Sequence, residues 1–250
     1  MKWTNIKNII LGFLVGINIL MIAYTGISTW RQNSISPSVV KASVKVLENE
    51  GFECPEDIFP SSYYDLPTLD ATFYSASDLS ELFFKKQLAF RTVGNTLVAK
   101  QDEETLTVSS NHFLYENENT PDEGASSGKI RRALKNLGID MSGAVYNEKD
   151  GYFYKMYKKT NLFNMYIEAK LDKNGNICMV NAQWPKKTTP EESVKMSFIE
   201  HIMTLKTVFP CGGKIKNIEL GYSLRLSGGE NYVFDPAWRV NVNDDLKIVK

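Results

Sequence analysis

Apolar and polar positions follow three different rhythms along this chain. From Asn8 to Trp30 no charged residue interrupts the run. At about 1.5 Å of rise per helical residue, those roughly 23 positions are enough to cross a hydrocarbon core of about 30 Å. Trp3 precedes the run, Tyr24 and Trp30 close it, and Lys2, Lys7 and Arg31 flank it. Interfacial rings and snorkelling cations take such places. The pattern predicts a cytoplasmic tail at 1–7 and a transmembrane helix over 8–30. A cleaved leader is the rival reading, but no A-x-A site lies beyond the run, and Gly26-Ile27-Ser28 is a weaker substitute. A first hydrophobic segment behind so short a tail directs the rest of the chain across the membrane, so residues 36–250 are expected outside the cytoplasm.

On a helical projection Gly12, Gly16, Ala23 and Gly26 fall within an arc of roughly 80°. Small residues at this spacing let a second helix approach closely in lipid. Asn18 points elsewhere, and its amide needs a partner helix or a backbone carbonyl. Gly12, Gly16, Asn18, Ala23 and Gly26 are therefore the candidate helix-packing residues.

Beyond a short linker the apolar spacing becomes helical over 39–51, through Val40, Val44 and Leu47, and Gly51 ends it. A proline-rich stretch leads to an alternating strand at 68–74 and one or two helical turns at 77–84. Short strands come next near 88–93, 96–100, 105–109 and 112–116, with turns at Gly94-Asn95 and Ser110-Asn111. The polar segment 117–128 is the best boundary, dividing a first domain at 36–118 from a second at 126–250.

The rhythm then restarts with an amphipathic helix over 129–137, carried by Ile130, Ala133, Leu134 and Leu137 and ended by Gly138. Strands succeed it at 143–147, 152–159, 165–171 and 177–184, with hairpin turns at Asp150-Gly151 and Asn174-Gly175. Asp172-Lys173-Asn174-Gly175-Asn176 lacks the ligand set of a calcium loop and reads as a turn. Thr189 as N-cap, Pro190 at the first position and two glutamates predict a third helix from 188 to about 208. Two closing strands, 215–226 and 231–242, meet at Ser227-Gly228-Gly229. Each half thus opens with a helix and continues as an antiparallel meander, and residues 46–52 rhyme with 133–139, which points to duplication. The predicted class is α+β: a transmembrane helix followed by two helix-plus-antiparallel-sheet domains.

Composition narrows the chemistry. Lysine plus arginine equals aspartate plus glutamate, 29 against 29 in 250 residues, so no global field recruits nucleic acid. Cys54, Cys178 and Cys211 show no CxxC spacing, and with only His112 and His201 to join them a zinc site is not expected. The odd count excludes a full disulfide framework within one chain and leaves one bridge open. Cys211 stands ten residues from His201, but a histidine beside Ile202 and Leu205 on a helix is more often packed or solvated than catalytic. No phosphate-binding glycine loop, dinucleotide fingerprint or metalloprotease motif occurs. No enzyme and no cofactor is expected.

Trp3, Lys7, the apolar run and Asn18-x-Leu20 at one end, with Gly221-Tyr222 and Pro236-Ala237-Trp238-Arg239-Val240 at the other, resemble the YycI family of Gram-positive bacteria. The likeness extends more loosely to YycH and PepSY-like domains. It implies a single N-terminal signal-anchor helix that tethers an extracytoplasmic α+β domain pair to the cell membrane. It also implies a YycH-like partner and restraint of a WalK (YycG) sensor histidine kinase, within a two-component system regulating the cell wall. Gly221, Tyr222, Pro236, Trp238 and Arg239 are expected to be structural; alternation puts Trp238 inward and Arg239 outward. A tethered binding module, such as a PepSY-like protease inhibitor or sensor, is the alternative, and a cell-surface hydrolase is a third reading.

Overall fold

The computed structural model describes residues 14–25, 33–122, 124–228 and 231–250. These residues form a mixed α+β fold. Chain order begins with α1 (14–25), α2 (Pro37–Asn49), β1 (Phe52–Glu53), β2 (Tyr64–Phe73) and α3 (Ala76–Phe84). Next come β3 (Arg91–Val93), β4 (Thr96–Gln101), β5 (Glu104–Val108), β6 (Phe113–Asn117) and α4 (Ser127–Leu137). Four strands continue the chain: β7 (Ala144–Asn147), β8 (Tyr152–Tyr157), β9 (Thr160–Leu171) and β10 (Ile177–Gln183). It closes with β11 (Pro185–Met196), a 3-10 turn (Phe198–His201), α5 (Ile202–Val208), β12 (Gly213–Leu226), β13 (Tyr232–Val242) and β14 (Asp245–Val249).

Packing divides the chain into two compact units, each discontinuous in sequence. The first comprises Met1–Leu66, Val194–Ile218 and Val240–Lys247, and the second Pro67–Ser193, Glu219–Arg239 and Ile248–Lys250. These do not coincide with 36–118 and 126–250. The polar segment 117–128 lies inside the second unit, because β6 on its near side pairs with β10 on its far side, Tyr115 opposite Val180.

In the first unit α2 starts with a proline in its first turn and buries Val40, Val44 and Leu47. Its end is held from a distant stretch: the Lys206 ammonium donates to the Glu50 carbonyl at 2.6 Å. Phe52 pairs in parallel with Gly213, and Phe59 meets Phe198 edge-on with ring centres 5.5 Å apart. Gly212 is required here, since its φ is +66° and a Cβ would strike the Gly51 carbonyl.

In the second unit the strand order is β11-β2-β13-β12-β9-β10-β6-β5-β4-β3, with β7 and β8 continuing from β9. Within it one arrangement occurs twice. Helix α3 followed by the meander β3-β4-β5-β6 matches α4 followed by β7-β8-β9-β10, and the two last strands meet antiparallel. Both helices cover the same face. Leu79 and Phe84 of α3 join Ile130 and Leu134 of α4 in one core with Leu106, Phe113, Ile167, Val180 and Trp184. Helix α3 starts with a capping box, the Ser75 and Asp78 side chains each accepting the other's main-chain N–H. It ends at Lys85 with φ 56°; α4 ends at Gly138 with φ 107°, where a Cβ would stand 2.8 Å from Cδ2 of Leu82.

Three expectations need correction. Residues 188–196 are strand, not the start of a third helix, and helix appears only at 202–208 after the 3-10 turn. β11 ends the strand order, and at an edge the missing N–H of Pro190 costs no ladder bond, while Thr188, Thr189 and Val194 favour extended backbone. The repeat exists, but the helix matching α4 is α3; α2 belongs to the other unit, so the rhyme of 46–52 with 133–139 is local. β1 and β14 are absent from the expected elements, being short strands defined by their partners β12 and β13.

Of the expected span 8–30, residues 14–25 are described and helical. No helix among the described residues is long and apolar enough to cross a membrane. The expectations placed on Trp3, Lys7, Gly12 and Gly26 lie outside the described residues.

Candidate functional site

The C-terminal motif residues converge on three adjacent strands of the second unit. β12 runs parallel to the start of β9, with Gly221 opposite Asn161 and Tyr222 opposite Leu162. β13 lies on the other side of β12. Alternation sends the motif to two faces. Tyr222 and Trp238 are buried at 0% and 1% exposure, whereas Arg239 is half-buried. Pro236 fits β13 because the register with β2 runs over Tyr232 to Phe234, two residues short of the missing N–H.

Arg239 is the centre of the polar side. Its Nε and Nη2 donate to Oε2 of Glu219 at 3.2 and 2.6 Å, and its guanidinium lies 4.4 Å over the Phe163 ring. Asn161 Nδ2 donates to Oε1 of the same glutamate at 3.3 Å. An ion pair, a cation–π stack and an amide thus hold β9, β12 and β13 together, and Gly221 leaves the space the Phe163 ring occupies. Nearby, burial and a hydrogen bond to Asp150 push the Tyr154 phenol up to about 12, against the opposing pull of Arg239.

This cluster is a structural clamp. The Arg239 guanidinium commits Nε and Nη2 to Glu219 and its flat face to Phe163. On the opposite face Tyr222 packs edge-on against Tyr157 at 6.1 Å, and burial pushes its phenol up to about 12. Sequence reasoning named Gly221, Tyr222, Trp238 and Arg239 but missed Glu219, Asn161 and Phe163. Glu219 could have been found two residues before Gly221, on the same strand face; β9 gave no comparable signal.

The remaining sequence candidates are separated. His112 is engaged through Nε2 with Oδ1 of Asn181 at 2.7 Å. Cys54 and Cys178 are buried free thiols and Cys211 an exposed one; burial, reinforced by Asp57, pushes Cys54 up to about 11. The Asp172 loop is a turn: Oδ1 of Asp172 accepts the main-chain N–H of Asn174 and Asn176 at 2.9 and 2.8 Å. On α1, the Asn18 amide donates to the Leu14 carbonyl of its own helix at 2.8 Å, and a Cβ on Gly16 would meet nothing within 4 Å. Leu14, Val15, Ile17, Ile19, Leu20, Met21 and Ile22 are all exposed.

No family model and no curated protein matches this chain. Among solved structures it is similar to an uncharacterized protein from Eubacterium rectale, with TM-score 0.44 and 11% identity over 77% of this chain and 84% of that one. It is also similar to YycH from Bacillus subtilis, with TM-score 0.44 and 14% identity, covering 76% of this chain and 53% of that one. The chain therefore spans about half the length of YycH. A third, the C-terminal domain of Bacillus megaterium YpeB, gives TM-score 0.28 and 10% identity over 87% of this chain and 99% of that one.

Proposed function

We propose that this chain is a membrane-anchored, non-enzymatic regulator of a sensor histidine kinase of the WalK (YycG) type, acting with a YycH-like protein. The observation that carries the proposal is the N-terminal segment. The uncharged run 8–30 has the length of a bilayer span, and its described part presents apolar side chains outward, from Leu14 at 51% to Tyr24 at 77% exposure. With Asn18 bonded to its own helix, the Gly16 side is the surface open to a second helix. The resemblance of the terminal motifs to the YycI/YycH family supports a sensor kinase and a YycH-like protein as the partners.

In this reading residues 36–250 lie outside the cytoplasm and hold the kinase's helices in one of two arrangements. Inhibition requires tighter binding to one arrangement, since equal affinity for both shifts nothing. In-cell crosslinking from Gly16 and Ala23 tests it. Capture of a sensor kinase or a YycH-like protein, with derepression on replacing Gly12 and Gly16 by isoleucine, is the expected result. Release of the chain into the medium with full regulatory activity overturns it.

A further inference from the structure

Helix α4 and the loop joining β9 to β10 border an open cavity of about 330 Å³. Lys129 and Arg132 reach it from the helix and Lys173 from the loop. The side chains of these three make no ion pair or hydrogen bond among the described residues. Two carboxylates also line the space, each accepting hydrogen bonds from its own loop. Asp122 Oδ1 accepts the Gly124 N–H at 3.1 Å. Buried Asp172 accepts from Asn174 and Asn176, including the Asn176 side-chain amide at 3.3 Å.

Three cations and two carboxylates line this space, and with none of the five in an ion pair among the described residues the local balance is an excess of positive charge at the exposed Lys129, Arg132 and Lys173. We propose that this cavity binds the phosphate group of a phosphorylated ligand, a monoester or a diester. Three cations including a guanidinium suit a tetrahedral, multiply charged anion with several acceptor oxygens, whereas a carboxylate would satisfy one fork. Asn136 and Asn174, which also line the cavity, offer neutral amides to the ester substituent. Because the chain as a whole is neutral, binding here depends on this local cluster.

A soluble phosphate ester and a lipid headgroup share this chemistry, so the test has separate arms. The full chain in neutral detergent is titrated with inorganic phosphate, with glycerol 3-phosphate, and with phosphatidylglycerol in mixed micelles, each against acetate and phosphatidylcholine. Saturable, salt-sensitive binding is expected, weakened about tenfold or more by Arg132→Ala and by Lys173→Ala, as for the loss of one charged hydrogen bond. Lys135→Ala, on the same helix but outside the cavity, should leave it unchanged. Binding of the lipid alone assigns the headgroup as the source, and binding of the soluble ester assigns the free ligand. No saturable binding in any arm, acetate binding as tightly, or equal loss in Lys135→Ala overturns the proposal.

Discussion

Gly221 on β12 lies against the ring of Phe163 on β9 with no room for a side chain. A Cβ there would overlap two ring carbons and stand 2.7 Å from the Asn161 carbonyl. A backbone oxygen cannot swing aside as a side chain can. Gly221→Ala is therefore expected to cost about 1–3 kcal/mol of stability in urea melts. Phe163→Leu should recover part of the loss, and an unchanged midpoint in Gly221→Ala contradicts the packing described.

Arg239 and Glu219 are 23% and 32% exposed at their side chains, so water screens the pair and a double-mutant cycle should return roughly 1 kcal/mol of coupling. Arg239→Lys keeps the charge but loses the two-donor fork and the flat face over Phe163. It should cost about as much as Arg239→Met. A lysine variant as stable as the parent would show that charge alone holds the three strands.

The C-terminal motif and the hairpin turns were readable as patterns because each rests on local spacing. Trp238 inward beside Arg239 is a consequence of alternation, and the turns at Gly151 and Gly175 have φ of +74° and +84°, as Asp-Gly and Asn-Gly in hairpins require. Strands β4, β5 and β6 lie within a residue or two of their expected positions for the same reason. Residues 188–196 misled because a threonine, a proline and two glutamates carry every local sign of a helix start, while the edge position that makes them β11 is set by a partner more than a hundred residues away. The clamp's other half was illegible for the same cause: Asn161 and Phe163 have roles only once β9 lies beside β12. The repeat was visible as a rhythm, but which helix belonged to it depended on whether α2 or α3 packs with α4.

Tyr222 is fully buried, and its hydroxyl finds no hydrogen-bond partner among the described residues. Removing that group should help. Tyr222→Phe is expected to raise stability by about 1 kcal/mol near neutral pH, since an unpaired buried hydroxyl carries its desolvation cost. The pH dependence has a definite sign. Burial raises this phenol to about 12 in the fold against about 10 unfolded, so its contribution is complete below pH 10 and is lost between 10 and 12. Denaturation midpoints should fall less steeply over that window in Tyr222→Phe than in the parent. Some fall remains, because burial also raises Tyr74 and Tyr115.

Lys155 is 5% exposed, with its ammonium 3.1 Å from Oδ2 of Asp140 and 4.9 Å over the Trp184 ring. The same aspartate accepts Trp184 Nε1 on its carbonyl at 2.8 Å and donates its N–H to the Tyr74 hydroxyl at 3.2 Å, so the pair sits where α4 hands over to the second meander. Burial depresses Lys155 more than Asp140 restores it. For Asp140 burial is outweighed by Ser142 and Lys155, and its carboxyl falls below the ordinary value. These shifts define two windows. Asp140 stabilises the fold above about pH 4, and that contribution is lost as pH falls through its lower folded value. Lys155 works the other way: the unfolded chain holds the proton up to about 10.4, so stability rises with pH between the depressed folded value and that point. Asp140→Asn leaves a buried ammonium without its carboxylate and should cost about 2 kcal/mol, discounted because Asp140 is half exposed. Lys155→Met removes the charge while filling the same space, leaves Asp140 to solvent, and should stay within about 1 kcal/mol of the parent. Urea melts from pH 4 to pH 10 separate them: the alkaline rise should vanish in Lys155→Met and persist in Asp140→Asn. Equal losses in both variants, with no change in slope, would mean that packing around Trp184 and not the buried charge governs this joint.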